Sequence, residues 1–213
     1  VIMRLTPASI GKHLFFKRTT ANQTAAIIFS SGSEGKPKGV ELTHSNLISN
    51  IKQTATVCNL VSSDVLLGML PLFHSFGLTA CTLMPLVIGC PLVCQADPTN
   101  APAIGKLVCR YNVTVIFGTS TFFNLYIRNK KCATEMFASL RLIIAGAEKL
   151  SKQVKDNFKL KFNKEVYEGY GTTELSPVAG CILPNIIDSN DMHIQVSNKE
   201  GTVGLPLPGS AYM

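Results

Sequence analysis

Short apolar runs alternate along this chain with longer amphipathic runs. A short apolar run predicts a buried strand, and apolar residues recurring every three or four positions predict a helix. The predicted strands are residues 25–29, 65–69, 91–94, 113–117, 140–145 and 165–168, and the predicted helices are 43–57, 101–111, 119–130 and 151–162. In the last helix Val154, Phe158 and Phe162 lie four positions apart, which predicts one buried face. After Gly169 the pattern gives way to loops and short strands.

Strands that alternate with helices of about 10–15 residues are typical of an α/β fold, a mostly parallel sheet with helices on both faces. Thr43 or Ser45 is the expected N-cap of the first helix, and Ser151 that of the last. Ligands of such sheets bind at the carboxyl ends of the strands. The loops that follow strands are therefore where a functional site is expected.

Residues 65–96 contain no Asp, Glu, Lys or Arg, and His74 is the one titratable nitrogen base in the stretch. The stretch is long enough for a membrane-spanning helix. Pro71, Pro85 and Pro91 interrupt it, however, so a strand, a turn, a buried helix and a second strand account for it better. A membrane span is kept as the alternative.

The composition is globular, with 46% apolar and 15% charged residues, and this excludes a disordered chain. The net charge of +7 fits either an anionic partner, such as a nucleotide, nucleic acid or lipid headgroups, or an ordinary solubility charge. Seven scattered cysteines without a C-x-x-C pair indicate reduced thiols rather than a secreted disulfide framework. We therefore expect a cytoplasmic protein.

The loop after the first predicted strand, Ser30 to Gly39, has the composition of a phosphate-binding loop. Three glycines allow backbone N–H groups to approach an anion, three serines donate hydrogen bonds, and Lys36 and Lys38 supply charge. The spacing matches neither the Walker A pattern nor the dinucleotide-binding G-x-G-x-x-G pattern. A flexible surface loop with no ligand is the alternative.

Five segments in order resemble the motifs of the adenylate-forming superfamily, which includes acyl-CoA synthetases, luciferases and peptide-synthetase adenylation domains. They are Ser-Ser-Gly-Ser-Glu-Gly-Lys-Pro-Lys-Gly (30–39), Leu-Pro-Leu-Phe-His-Ser-Phe-Gly (70–77), Ala-Gly-Ala-Glu (145–148), Tyr-Glu-Gly-Tyr-Gly-Thr-Thr-Glu (167–174) and Gly-Thr-Val-Gly-Leu-Pro-Leu-Pro-Gly (201–209). The fold this implies is part of the large N-terminal domain of an adenylate-forming enzyme.

The resemblance implies ATP and Mg²⁺ as cofactors and assigns site residues. The implied β- and γ-phosphate contacts are Ser30, Ser31, Gly32, Ser33, Gly35 and Lys38, with Lys36 at a variable position. Thr173 would donate to the α-phosphate, beside Gly171, and Glu174 would bind the metal, being a hard oxygen ligand. Tyr170 would stack on adenine, with Gly146, Ala147 and Glu148 beneath it.

For the acid, the resemblance implies an acyl pocket with His74 at its mouth and with Gly118, Thr119 and Ser120 along its wall. The implied catalytic set is Lys38, Thr173, Glu174 and His74. His74 could equally be a satisfied core residue. Glu34 departs from the threonine common in the superfamily, and a carboxylate there would repel a triphosphate unless it points away or meets the metal.

The variant loop, with Phe-Gly-Thr-Ser-Thr-Phe (117–122) and Ala-Gly-Ala-Glu-Lys-Leu (145–150), is most similar to the acyl–acyl-carrier-protein synthetase part of bacterial bifunctional 2-acylglycerophosphoethanolamine acyltransferases. The implied partners are a fatty acid, acyl carrier protein or coenzyme A, and a lysophospholipid. No nucleic-acid partner is expected, and membrane contact at the inner face of the bacterial inner membrane is an open expectation.

The chain, residues 1–213, is expected to be a partial adenylation domain. The family's ribose-binding aspartate, its small C-terminal domain with the catalytic lysine, and any acyltransferase domain with an H-x-x-x-x-D pair are not found in it. We therefore expect this piece alone to be inactive. A non-catalytic nucleotide- or partner-binding module of the same fold is the alternative function.

Overall fold

A seven-stranded sheet with helices on both faces forms the centre of the protein, as shown by a computed structural model that describes residues 19–31, 36–187, 194–199 and 201–211. The strands are β1 Thr24–Ser31, β2 Pro37–Thr43, β3 Leu66–Gly68, β4 Leu92–Cys94, β5 Val115–Gly118, β6 Leu142–Ala145, β7 Tyr167–Gly171, β8 Val178–Cys181, β9 Ile186–Ile187, β10 Ile194–Gln195 and β11 Leu205–Pro206. The helices are α1 His44–Val57, α2 Ser75–Leu78, α3 Met84–Ile88, α4 Ala101–Tyr111, α5 Ser120–Arg128 and α6 Lys152–Phe162. A π-helical turn (Thr79–Leu83) joins α2 to α3, and 3₁₀ turns cover Thr134–Phe137 and Thr173–Leu175.

The sheet has the order β11-β8-β7-β6-β5-β3-β4 and is parallel from β4 to β7. The strands β8 and β11 extend it with antiparallel pairing. The predicted α/β fold is thereby confirmed. Parallel strands end at the same edge, so the loops after β5, β6 and β7 meet there.

Each central strand is buried on both faces, which explains its unbroken apolar sequence. In β5, Ile116 packs on the side of α4, α5 and α6, whereas Val115 and Phe117 pack on the side of α1 to α3. The predicted buried positions of α6 are confirmed, since Val154, Phe158 and Phe162 all lie in the first of these clusters.

The hairpin of β1 and β2 lies outside the large sheet, and this corrects the prediction of a buried first strand. β1 pairs antiparallel with β2, with Ser30 opposite Lys38. Ile28 is buried, but Ile27 and Phe29 are 61% and 74% exposed. The apolar run predicted a strand correctly, but a two-stranded ribbon covers only one face of each strand.

The uncharged stretch forms β3, the continuous helical segment from α2 to α3, and β4, as the preferred interpretation predicted. Over the part of the chain that the structure describes, no helix combines the length and the apolar character needed to cross a bilayer.

The helix starts were predicted in part. Thr43 caps α1 with a capping box, in which its hydroxyl accepts from the Asn46 amide and the Asn46 side chain accepts from the Thr43 amide. Ser151 precedes α6 as predicted but makes no side-chain cap bond, and its backbone amide donates to the Ser120 hydroxyl.

A buried carboxylate ties three segments together at the amino end of β5. Asp64 is 3% exposed and accepts from the Arg141 guanidinium, from the Thr114 hydroxyl (2.7 Å) and from the Val61 amide (3.0 Å). Desolvation raises the pKa of Asp64, but the hydrogen bonds from Arg141, Val61 and Thr114 outweigh it and lower that pKa to about 2.

Because the folded protein holds the pKa of Asp64 below its unfolded value, this carboxylate stabilises the fold above about pH 4. The stabilisation, about 2 kcal/mol, should be lost as the pH falls from about 4 to about 2. Asp64→Asn should remove this part of the acid dependence of the unfolding free energy. Urea unfolding of both proteins between these pH values measures this pH dependence. The same change of unfolding free energy with pH in both proteins would contradict the role given to Asp64.

Candidate active site

A cavity of about 400 Å³ opens at the carboxyl edge of β5, β6 and β7. Its described walls come from the hairpin, α1, the loop and helix after β3, the strand β5, the strand β6 with the loop after it, and the chain from β7 to β8. The lining residues are Ile28, Phe29, Ser30, Thr54, His74, Ser75, Phe76, Phe117, Ile144, Gly146, Ala147, Gly169, Tyr170, Gly171, Thr172, Thr173, Glu174, Pro177, Val178 and Cys181.

One wall of the cavity is polar and comes from the end of β7 and the 3₁₀ turn after it. It presents the Tyr170 ring, which is 43% exposed, the hydroxyls of Thr172 and Thr173, and the Glu174 carboxylate. The Thr173 hydroxyl lies 3.2 Å from that of the buried Ser75, so the start of α2 holds the turn in place. Hydroxyls and a carboxylate in a row suit a phosphate chain and its cation.

The opposite part of the cavity is apolar. The Phe76 and Phe117 rings meet edge to face, 6.0 Å between centroids, beside Ile144. A Cβ at Gly146 would lie 2.9 Å from the Phe76 ring, so only glycine allows the backbone after β6 to approach it closely. An apolar compartment next to a polar wall can hold an amphipathic ligand.

The backbone that carries Tyr170 and Thr173 is closely packed against the loop before β8. A Cβ at Gly171 would lie 1.9 Å from the Pro177 carbonyl oxygen, which a side chain cannot accommodate. The close contact between Gly171 and Pro177 places the polar wall and Val178, which borders the apolar compartment, in one cavity.

The middle of the predicted phosphate loop lies outside the described residues. Gly32, Ser33, Glu34 and Gly35 are in that gap, and only the backbone of Ser31 is described. Ser30 lines the cavity, and Lys38 is exposed on β2 opposite it, outside the lining. The described part of the loop therefore reaches the cavity at Ser30, and the phosphate-binding role of the loop stays a prediction.

The structure brings together His74, Gly146, Ala147, Tyr170, Gly171, Thr173 and Glu174. His74 is the N-cap of α2, and its Nδ1 accepts from the Phe76 amide at 3.2 Å. The His74 ring therefore caps α2 through a hydrogen bond and also lines the cavity. The catalytic and binding roles of these residues stay predictions.

Four predicted residues lie elsewhere. Glu148 does not line the cavity, because its carboxylate accepts from the Thr121 amide and hydroxyl at the start of α5. Gly118 faces Met69 and Phe123 within the core, and a Cβ there would lie 2.8 Å from both.

Thr119 and Ser120 are likewise used locally. The Thr119 hydroxyl caps α5, and the Ser120 hydroxyl accepts from the Ser151 amide. Neither residue lines the cavity, and the expectation that residues 118–120 form the acyl wall stays a prediction. Phe117, one position earlier, does line the cavity.

Several lining residues were not predicted from the sequence, among them Thr54, Ser75, Val178 and Cys181. Thr54 reaches the cavity because α1 is bound to the chain before β8 through Asn50. The Asn50 side-chain amide donates to the carbonyl oxygens of Leu175 and Val178 and accepts from the Val178 amide. The signal in the sequence was a polar residue on the buried face of α1, but its partners are about 125 positions away.

Thr54 carries a buried hydroxyl that has no hydrogen-bond partner among the described residues. An unsatisfied buried hydroxyl costs about 1–3 kcal/mol. Thr54→Val keeps the shape and removes that cost, so we expect the variant to be more stable by about 1 kcal/mol. Chemical denaturation of the ligand-free protein measures this. A less stable variant would show that the hydroxyl has a partner.

A magnesium ion would have limited protein ligation here. No cluster of three histidine, cysteine or acidic side chains occurs within residues 19–31, 36–187, 194–199 and 201–211. Mg²⁺ commonly binds one or two carboxylates together with water and substrate phosphates. The single Glu174 carboxylate in the cavity wall fits that mode, in which the nucleotide provides the other ligands.

Comparison with known proteins defines the class to which this fold and cavity belong. The model of the AMP-binding enzyme family matches residues 9–213, and the chain belongs to that family. It is 31% identical over 190 residues to a long-chain-fatty-acid–CoA ligase of Yersinia pestis, covering 88% of this chain and 32% of that protein. It is 33% identical to a probable 4-coumarate–CoA ligase of Dictyostelium discoideum, covering 83% of this chain and 32% of that protein.

Solved structures give the same result. Apo MatB from Rhodopseudomonas palustris superposes with a TM-score of 0.76 at 27% identity, covering 90% of this chain and 35% of that one. A malonyl-CoA ligase product complex with methylmalonyl-CoA and AMP gives 0.72 at 25% identity, covering 89% and 39%. The chain thus spans about a third of the length of the relatives it matches.

Proposed function

We propose that this chain forms the nucleotide- and acyl-binding part of an ATP-dependent acid–thiol ligase that acts on a fatty acid. The observation that carries the proposal is the single cavity with a hydroxyl- and carboxylate-bearing wall at Tyr170–Glu174 and an apolar compartment around Phe76 and Phe117. The acid and the nucleotide must meet in one space for the reaction, and this cavity provides both environments.

The reaction has two half-steps. A carboxylate oxygen of the acid attacks the α-phosphorus of ATP. The bond between that phosphorus and the oxygen that bridges it to the β-phosphate breaks, and acyl-AMP and pyrophosphate form. A thiolate then attacks the acyl carbon and releases AMP as a thioester forms. Negative charge develops on phosphate oxygens in the first step, where donors such as Thr173 and Lys38 would stabilise it. Mg²⁺, held by Glu174 and the phosphates, would supply further charge neutralisation.

The lining supports a neutral acyl tail. Among the described residues that line the cavity there is no lysine or arginine, and the only charged side chain is Glu174. A dicarboxylic acid such as malonate would leave a second carboxylate without a cation, which is costly in a partly apolar space. A hydrocarbon chain or an aromatic ring meets no such penalty, and the long-chain-fatty-acid–CoA ligase relatives favour the chain.

The thiol acceptor is either coenzyme A or acyl carrier protein. The CoA-ligase relatives support coenzyme A. The similarity of residues 117–122 and 145–150 to acyl–acyl-carrier-protein synthetases supports the carrier protein, and with it a role in lysophospholipid reacylation. We propose the carrier protein as acceptor, and thioester formation with each thiol in parallel decides between them. Exclusive use of coenzyme A would remove the lysophospholipid proposal.

The function is tested in the intact parent protein, of which this chain is expected to be a part, by acid-dependent exchange of labelled pyrophosphate into ATP. We expect exchange with long-chain fatty acids, and none with malonate. Exchange only with malonate, amino acids or aryl acids would refute the fatty-acid assignment. Nucleotide binding without exchange for any acid would support the alternative, a non-catalytic nucleotide-binding module.

A further inference from the structure

The 3₁₀ turn after β7 carries Thr173 and Glu174, to which the proposed reaction assigns the α-phosphate and the metal. The Glu174 carboxylate is exposed and has no hydrogen bond or ion pair within the described part of the chain. A side chain without partners is held only by its own backbone. The position of this carboxylate therefore depends on what holds the turn.

Asn50 of α1 holds the end of the turn. It is 5% exposed, and its side-chain NH₂ group donates to the Leu175 carbonyl oxygen at 3.3 Å and to the Val178 carbonyl oxygen at 2.7 Å. Its Oδ1 accepts from the Val178 amide at 3.1 Å. One buried side-chain amide thus binds the backbone on both sides of residues 176–177.

The backbone between these bonds has a conformation that needs support. Ser176 has a φ of 73°, in the left-handed region that residues other than glycine enter at an energetic cost. Such a conformation persists where the surrounding structure fixes it, and the Asn50 bonds lie on either side of it. At the start of the turn, the hydroxyl of the buried Ser75 contacts that of Thr173. The turn is therefore tied to α2 at its start and to α1 at its end.

The helix α1 also connects this turn to the hairpin. β2 ends at Thr43, which is the N-cap of α1, so no loop separates the strand that carries Lys38 from the helix that carries Asn50. In the proposed reaction the hairpin would provide the lysine for the β- and γ-phosphates, and the turn would provide the metal ligand. The bonds of Asn50 therefore join the two halves of the phosphate site.

We infer that Asn50 is a positioning residue that sets the Glu174 carboxylate for the metal and phosphates of the nucleotide. The inference rests on the proposed function, because it concerns the metal-binding half of the same site. Asn50 does not line the cavity and acts only through the backbone of Leu175 and Val178. Loss of a residue that supports a metal ligand commonly lowers metal affinity or activity by about 10- to 100-fold.

The test is calorimetric titration of the intact parent protein with ATP, once with Mg²⁺ and once with EDTA. Asn50→Ala should weaken binding of Mg-ATP by about tenfold and change binding of metal-free ATP by less than about twofold. Asn50→Asp keeps the size of the side chain and the bond from the Val178 amide but loses both donations, and it should behave in the same way. Equal weakening with Mg²⁺ and with EDTA, or no weakening with either, would overturn the inference.

Gln53→Ala is the matched control. It also removes a side-chain amide of α1 that donates to a backbone carbonyl oxygen, but this partner, Pro208 at 2.6 Å, lies outside the turn. Both ATP affinities should therefore stay within about twofold of the wild-type values. A loss of Mg-ATP affinity equal to that of Asn50→Ala would show that any bond of α1 has this effect, and would overturn the inference.

A double variant tests whether Asn50 acts through Glu174. In a Glu174→Gln protein, adding Asn50→Ala should change the affinity for Mg-ATP by less than about twofold, because the two residues act as one unit. Losses that multiply would overturn the inference.

The same titrations separate the inference from the proposed function. The Asn50→Ala effect on Mg-ATP binding, without pyrophosphate exchange for any acid, would refute the ligase proposal and support Asn50 as a positioning residue of a nucleotide-binding module. Exchange with fatty acids in a parent whose Mg-ATP affinity is unchanged by Asn50→Ala would support the ligase and overturn the inference. A parent that binds no ATP would overturn both.

Discussion

In the intact parent protein, replacing Lys38 with alanine is expected to lower kcat/KM for acyl-adenylate formation by about 30- to 1000-fold, the equivalent of about 2–4 kcal/mol. Lys38 lies opposite Ser30 across the hairpin, and Ser30 lines the cavity. In the proposed reaction the β- and γ-phosphates leave as pyrophosphate, and a lysine that contacts them would stabilise the charge that develops on them. Fatty-acid binding should change much less than turnover.

The matched control is Lys36→Ala. Lys36 is exposed, lies two positions earlier, and occupies a variable position of the motif, so its loss should change turnover by less than about threefold. Pyrophosphate exchange measured for both variants separates a positioned cation from a general charge effect. Equal activities of the two variants would show that Lys38 is an ordinary loop residue.

The second large effect concerns stability. Phe158 is 1% exposed, and its ring lies 5.4 Å from that of Phe123, 6.2 Å from that of Phe137 and 4.7 Å from that of Phe162. Phe158→Ala removes the centre of this aromatic cluster and leaves a cavity between α5 and α6. The free energy of unfolding should fall by about 3–5 kcal/mol.

Leu160→Ala on the same helix is the control for Phe158→Ala. Because Leu160 is 85% exposed, its truncation should change stability by no more than about 0.5 kcal/mol. Urea unfolding followed by circular dichroism compares the two. A small loss for Phe158→Ala would mean that α6 packs on the sheet differently from this structure.

The repeating part of the fold was predictable because its signals are local. The spacing of Val154, Phe158 and Phe162 and the unbroken apolar run of β6 each report burial from a few neighbouring residues. The hairpin was not predictable to the same degree. The run at β1 has the composition of a central strand, and only its pairing with β2 exposes Ile27 and Phe29.

The candidate site divides in the same way. Motif residues such as Tyr170, Thr173 and Glu174 lie where their order in the chain implied, because parallel strands end at one edge. Thr54 and Cys181 line the cavity only through packing between α1 and β8, which are more than 120 positions apart. Glu148, in contrast, occupies a motif position but does not line the cavity, because its carboxylate accepts hydrogen bonds from Thr121.

The position of a bound acyl-adenylate tests the central claim most directly. A crystal structure of the protein with a non-hydrolysable fatty-acyl-adenylate analogue should show the adenine against Tyr170 and the backbone of Gly146 and Ala147. The acyl chain should lie in the apolar compartment, against Phe76 and Phe117, and the phosphate mimic should face Thr173. Binding outside this cavity, or an acyl chain on the polar wall with adenine in the apolar compartment, would contradict the account.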